Sequence, residues 1–359
     1  MKKLFNLTAT ILLAFSLISF TACQKSASDQ KVIGVLLRND SDVFLSAYKK
    51  GIEDFAKKND INVQIYSANN DAAIQIDQLK TLLLNGVKNF VFVAYNSDLT
   101  EQITKIISSQ GGSAAFSNII PTVEALKAGG NFFYASSPET DAGKFQAEII
   151  DGYFKKNPGK LEGKKLRVLY FNGEYGHPGQ IYRKVGVMEE LSRLGYQVNV
   201  LKEFGANWDR SSARQYLDLW LEGDNPAFDV VIAQNDEMAL GAVDSLLSHN
   251  LVDDPSKPTV DANGDGTALA VPVLGIDATE AGMASLQNNQ LYGTVLQDAS
   301  AQAATALELV WECMKNGNTK NYTTQGGLSA AKETTKEEPL TEKSVLAQCF
   351  IVPFLPVTK

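Results

Sequence analysis

The chain has 359 residues, 44% of them hydrophobic, with 33 basic and 41 acidic side chains and a formal charge of −8. No cluster of lysine or arginine offsets that acidic balance, which argues against nucleic acid as a partner. The length beyond the N-terminal segment exceeds one comfortable core and fits two α/β domains.

Residues 1–22 read as a secretory signal: Lys2 and Lys3 precede an apolar run from Leu4 to Phe20 that closes on Thr21 and Ala22. Cys23 directly after a small residue resembles the lipobox of bacterial lipoproteins, with Phe20 in place of the usual leucine. The expectation is a lipidated Cys23 and a polar leash over 23–30, anchoring the protein to a bacterial membrane on the periplasmic side. Beyond the signal no second run is long and apolar enough to span a bilayer.

From there strands and helices alternate. Strands are expected over 31–37, 63–66, 90–93, 112–116 and 132–136, with helices over 44–59, 71–85 and 99–110 between them. The pattern then restarts: helix 141–155, strand 167–171, helix 181–194, strand 197–201, helix 211–221, strand 230–233, a helix from Met238, strand 271–276, helix 280–288 and strand 292–296. An alanine-rich helix over 299–316, a charged surface excursion over 330–343 and one apolar strand over 348–356 complete the chain. Repeated strand–helix–strand units imply two doubly wound parallel-sheet lobes in tandem. Cys313 and Cys349 fit no metal spacing, and their pairing stays open.

One stretch, VVIAQNDEMALGA at 230–242, places Asn235 at the carboxyl end of a buried strand. Ligands of open α/β sheets bind at such ends, while the plainer role for Asn235 is a helix N-cap. Similar positions are held by Asp42 and Asp277, with caps or turns as their plainer roles, by Phe44, otherwise a core residue, and by Trp208, in the polar loop Asn207-Trp208-Asp209. A pyranose offers faintly apolar faces and a rim of hydroxyls, so aromatic plates and planar Asp, Asn and Arg groups suit it.

Six segments carry a closer likeness: IGVLLRNDSDVF at 33–44, AAFSNIIP at 114–121, NGEYGHPG at 172–179, NWD at 207–209, VVIAQNDEMALGAV at 230–243, and VPVLGIDA at 271–278 with GTVLQDA at 293–299. In their order and intervals they resemble the periplasmic binding proteins of bacterial sugar transporters, most closely the galactose- and glucose-binding group. The resemblance implies two lobes joined by a three-crossing hinge: an N-terminal lobe of 31–135 plus 299–349, and a C-terminal lobe of 138–296 plus 352–359. It implies that Asp42, Phe44 and Asn118 face a hexose from the first lobe, and His177, Arg183, Trp208, Asn235, Asp277 and Gln297 from the second. Gly179 stands where the family has an aspartate, and Gln297 replaces an asparagine, so a choice between glucose and galactose does not transfer.

The resemblance further implies a monomer that delivers its sugar to an ABC transporter permease, with a chemoreceptor as a second candidate partner. A pentose, a nucleoside or a signalling furanose is the alternative ligand within the same fold. An enzyme is disfavoured, because the chain has two histidines, no Gly-x-Ser-x-Gly and no phosphate-binding glycine loop. No cofactor is required.

The loop DANGDGT at 261–267 resembles the first half of an EF-hand, with oxygen ligands at Asp261, Asn263, Asp265 and Thr267 but Pro272 at the twelfth place. The family's own calcium loop has lost its ligands here, and the expectation is a structural calcium ion held by this loop with Asp229.

Overall fold

Uniformly apolar runs such as Phe90–Val93 and Val230–Ala233 fold as strands covered on both faces, and every residue of these two runs is buried. The computed structural model describes residues 31–256, 267–319 and 321–359. The signal segment, Cys23, the leash, and the loop residues Asp261, Asn263 and Asp265 therefore lie outside the described residues.

The first half runs β1 (Val32–Leu37), α1 (Val43–Lys58), β2 (Asn62–Ser67), α2 (Ala72–Leu84), β3 (Asn89–Val93), α3 (Leu99–Ser108), β4 (Ser113–Phe116), α4 (Val123–Lys127) and β5 (Phe132–Ser136). The second runs α5 (Glu139–Lys156), β6 (Lys165–Asn172), α6 (Pro178–Arg193), β7 (Gln197–Gly205), α7 (Arg210–Glu222), β8 (Val230–Ala233), α8 (Asp236–Ser248), β9 (Val273–Leu274), α9 (Glu280–Gln287) and β10 (Gly293–Leu296). After α10 (Ala299–Asn316) come β11 (Cys349–Ile351) and β12 (Leu355–Thr358).

Two six-stranded sheets result, ordered β11-β5-β4-β3-β1-β2 and β12-β10-β9-β8-β6-β7. All pairings are parallel except β10 with β12. Both sheets lie in one compact unit, Val32–Lys359. The chain passes between them three times, after β5, after β10 and between β11 and β12, which is the doubly wound, three-crossing architecture expected.

Several local expectations change. The single apolar strand over 348–356 is two strands, one in each sheet, because Pro353 lacks the N–H a continuous ladder needs and Phe354 is buried in the second core. The strand over 271–276 contracts to the two residues of β9. Helix α4 was not foreseen; its five residues are too short for a periodic signal, and Thr122 caps it by accepting from Ala125 N–H at 3.1 Å.

The excursion over 330–343 is more than surface. Leu340 is fully buried in the first core, and Glu337 is 1% exposed, accepting from the backbone N–H of Thr140 at the start of α5. Lys336 pairs with Glu189 on α6, while Glu342 takes Lys127 of α4 at 2.7 Å, so this strap is fastened to both halves. Burial, then the neighbouring Glu139, pushes the Glu337 carboxyl from 4.5 up to about 7. The folded chain thus holds this proton more tightly than the unfolded chain. The stabilisation is full below about pH 4.5 and is lost as pH rises through about 7. Asp236, raised by burial to about 6, acts in the same sense. Glu337→Gln should flatten the fall in melting temperature between pH 5 and 8 and stabilise the protein at pH 8 by up to about 3 kcal/mol. An unchanged pH profile in a calorimetric melt would show that Glu337 does not titrate in this range.

Candidate functional site

Carboxyl ends of strands from both sheets face the cleft, and seven of the twelve strands are followed by a polar or aromatic side chain that lines it. Asp42 follows β1 and Asn118 follows β4, while His177, Trp208, Asn235, Asp277 and Gln297 follow β6, β7, β8, β9 and β10. Together with Phe44 at the start of α1 and Arg183 on α6, all nine residues singled out in the sequence line one cavity. Arg38, directly after β1, joins them.

Several of these residues also shape the backbone. Asp42 Oδ1 caps α1 by accepting from Leu45 N–H at 2.6 Å. His177 Nδ1 caps α6, accepting from Gly179 N–H at 3.0 Å, so the proton of the neutral ring sits on Nε2. Asn235 Oδ1 caps α8 through Met238 N–H at 2.9 Å. Its plainer role is therefore real, and its Nδ2 donates to the Trp208 carbonyl at 3.1 Å. Cap and cavity residue are here one side chain.

Trp208 has φ +67°, a left-handed conformation that a bulky side chain seldom adopts. Asn118 (φ 61), Asn207 (φ 52), Asp277 (φ 113) and Ala278 (φ 52) share that sign, so positive-φ backbone clusters around the cavity. Such conformations persist only where the surrounding structure over-determines them. Asn235 supplies part of that hold on Trp208. Gly173 supplies another part, because a Cβ there would lie 2.1 Å from the indole. His177 meets the indole edge-on at a ring separation of 5.2 Å, and the Arg183 guanidinium lies over it at 5.5 Å.

Arg183 is the electrostatic centre of the wall. Nε donates to Glu139 Oε2 at 2.6 Å, NH2 to Gln297 Oε1 at 2.8 Å, and NH1 to the carbonyl of Gln234. Burial alone pushes the His177 imidazole well below its usual value, and the cations of Arg38 and Arg183 add to this, so the ring is neutral. Burial pushes the Asp277 carboxyl well above the usual range, with Arg183 opposing, and the Asp277 carboxylate makes no hydrogen bond among the described residues. Asp42 is raised by burial too, opposed by Leu45 N–H and by Arg38. The cavity therefore offers two carboxyl acceptors, a neutral N–H donor, amides and two aromatic rings.

Sequence reasoning missed Arg38, Glu139 and Gln234. Arg38 and Gln234 stand within the quoted motifs, one residue past a strand, which was the available signal; Glu139 offered none beyond its place at a helix start. At Gly179 the missing side chain has a visible consequence: a Cβ would come within 3.1 Å of His177 Nδ1 and 3.4 Å of Arg183 Nε, so both groups occupy space an aspartate would contest.

The expected calcium ligand Asp229 does not fit that role. Its Oδ2 accepts from Arg167 N and Nε at 2.7 and 3.1 Å, and its Oδ1 from Arg167 NH2 at 2.6 Å, so a guanidinium already neutralises it. Thr267 is buried, and no group of three or more His, Cys, Asp or Glu suited to a metal occurs among the described residues. Cys313 and Cys349 are both buried and free.

A model of the periplasmic binding protein domain matches residues 33–319. The D-galactose/methyl-galactoside binding periplasmic protein of Haemophilus influenzae is 27% identical over 300 residues, spanning 82% of this chain and 85% of that protein. The xylitol-binding protein of Mycolicibacterium smegmatis is 26% identical over 307 residues, 84% of this chain and 79% of its own. A Bacillus halodurans ABC transporter solute binding protein with bound myo-inositol superposes with a TM-score of 0.71 at 23% identity, covering 93% of this chain and 96% of that one. With the fold, the cleft between two sheets and a domain match over most of its length, the chain belongs to the periplasmic binding protein family.

Proposed function

We propose that this protein captures a single hexose, D-glucose or D-galactose, in the cavity between its lobes and presents the closed form to the permease of an ABC transporter. The observation that carries the reading is the convergence of all nine predicted side chains, from the strand ends of both sheets, on one cavity. That lining alternates aromatic rings with carboxyl, amide and imidazole groups, a mix that suits the apolar faces and hydroxyl rim of one monosaccharide. Trp208 and Phe44 serve as the apolar plates, and Asp42, Asp277, Asn118 and His177 as the hydroxyl partners. Arg183 and Gln297 act mainly as a brace, since each is engaged by protein groups. No covalent step is implied and no cofactor enters. Binding shifts an open–closed equilibrium through the tighter hold of the closed form.

Within this reading the lobes divide as 31–135 plus 299–349 and 138–296 plus 352–359, Cys23 carries the lipid anchor, the protein acts as a monomer, and a chemoreceptor is a further partner of the closed form. A second ligand class, another small polyol such as a pentose or pentitol, is favoured by one observation: Gly179 removes a carboxylate and Gln297 turns toward Arg183, which leaves fewer rim contacts than a dedicated hexose site would have. Calorimetry of the purified protein against D-glucose, D-galactose, ribose, xylitol, myo-inositol and adenosine decides between them. Micromolar or tighter heat with a hexose supports the proposal; heat only from a pentose or pentitol transfers it to the second class, and heat from none removes it.

A further inference from the structure

Arg38 is carried into the cleft by the same strand end as Asp42, and it is 5% exposed. Its NH1 donates across the cleft to Glu174 Oε2 at 2.8 Å, in the loop after β6. The two lobes are thus closed onto one another at this point. Glu174 is half-exposed at the rim, where it also borders the mouth of the cleft with Arg38, Asn207 and Trp208. Arg38 Nε is different: it is buried and has no hydrogen-bond partner among the described residues, though its side chain lines the cavity.

A guanidinium has five N–H donors and no acceptor, and a buried charged donor left without a partner is costly. A bound oxygen would relieve that cost. The remaining wall limits which oxygen it is. Asp42 and Asp277 line the same cavity, the positive charge of Arg183 is matched by Glu139, and that of Arg38 is matched by Glu174. An anionic ligand would find no uncompensated cation and would meet two carboxyl groups.

We propose that Arg38 is a specificity-determining residue: its Nε donates to a hydroxyl or ring oxygen of a neutral sugar, while Glu174 cancels its charge from the opposite lobe and so excludes sugars that carry a carboxylate or phosphate. The inference rests on the sugar-binding reading above. It differs from a simple latch between lobes, in which either partner would matter equally and charge on the ligand would not.

The test measures calorimetric affinities of the wild type, Arg38→Met and Glu174→Gln for D-galactose, D-glucose, D-galacturonate and glucose 6-phosphate, with melting temperatures in parallel. Arg38→Met should weaken the neutral hexose about 10- to 100-fold, the loss of a hydrogen bond from a charged donor. Glu174→Gln should cost the neutral hexose less than about threefold and improve galacturonate relative to galactose by roughly tenfold, since it uncovers one positive charge beside the ligand. The second variant changes a rim residue, so its ratio remains readable if Arg38→Met folds poorly. Equal losses in both variants, unchanged hexose binding by Arg38→Met, or a wild type that holds galacturonate as tightly as galactose would overturn the proposal while leaving sugar capture intact. A wild type that binds none of the neutral sugars overturns both.

Discussion

Arg183→Met should destabilise the protein by about 3–5 kcal/mol and abolish ligand capture at the same time. Arg183 and Glu139 are an ion pair whose side chains are 4% and 2% exposed, so removing the cation strands a carboxylate in a site that water scarcely reaches. The methionine also releases Gln297 Oε1 and the Gln234 carbonyl, which Arg183 holds together with Glu139. Against a typical total of roughly 5–15 kcal/mol, such a loss lowers the melting temperature by on the order of 10 °C. Removing both charges should do less harm: Arg183→Met combined with Glu139→Gln leaves no buried ion, so stability recovers in part while binding does not. A double-mutant cycle followed by denaturant unfolding reads the coupling directly, and additive losses would mean the pair is not an energetic unit.

Trp208→Gly should separate function from stability in the other direction. The indole contributes area and an aromatic face to the cavity, and anchors of this kind contribute about 2–4 kcal/mol, so affinity should fall roughly 30- to 1,000-fold. Stability should change little. The residue sits at φ +67°, where a bulky side chain carries strain of about 1–3 kcal/mol that glycine does not, and this relief offsets the packing lost against His177 and the cluster that includes Phe171 and Met238. Trp208→Ala, which keeps a Cβ in the left-handed region, should be the less stable of the two variants. If Trp208→Gly retains wild-type affinity, the indole is not a plate of the binding site.

Most of the candidate site's lining was readable in the chain because its residues sit at a repeated landmark. A buried strand that ends in a polar residue and restarts as a helix marks a position at the sheet edge, and Asp42, His177 and Asn235 all follow that grammar. The same landmark explains why the functional and plainer roles could not be told apart locally. Asn235 caps α8 and lines the cavity at once, and nothing in VVIAQNDEMALGA distinguishes a side chain that does one from a side chain that does both.

The strand and helix order of two doubly wound lobes followed from local periodicity, capping and the length of the apolar runs, which depend on residues a few positions apart. The closing of Arg38 onto Glu174, 136 positions away, did not, nor did the brace of Arg183 by Glu139 and Gln297, or the strap that buries Glu337 against Thr140. The first and last of these join the two halves of the chain, and the brace joins α5, α6 and the end of β10. Their energies come from how far water is excluded as these elements pack, so one charged residue becomes a solvated surface group and another a buried donor beside the cavity. Charge and spacing in the sequence are identical in either case; the desolvation that separates them exists only in the folded, closed protein.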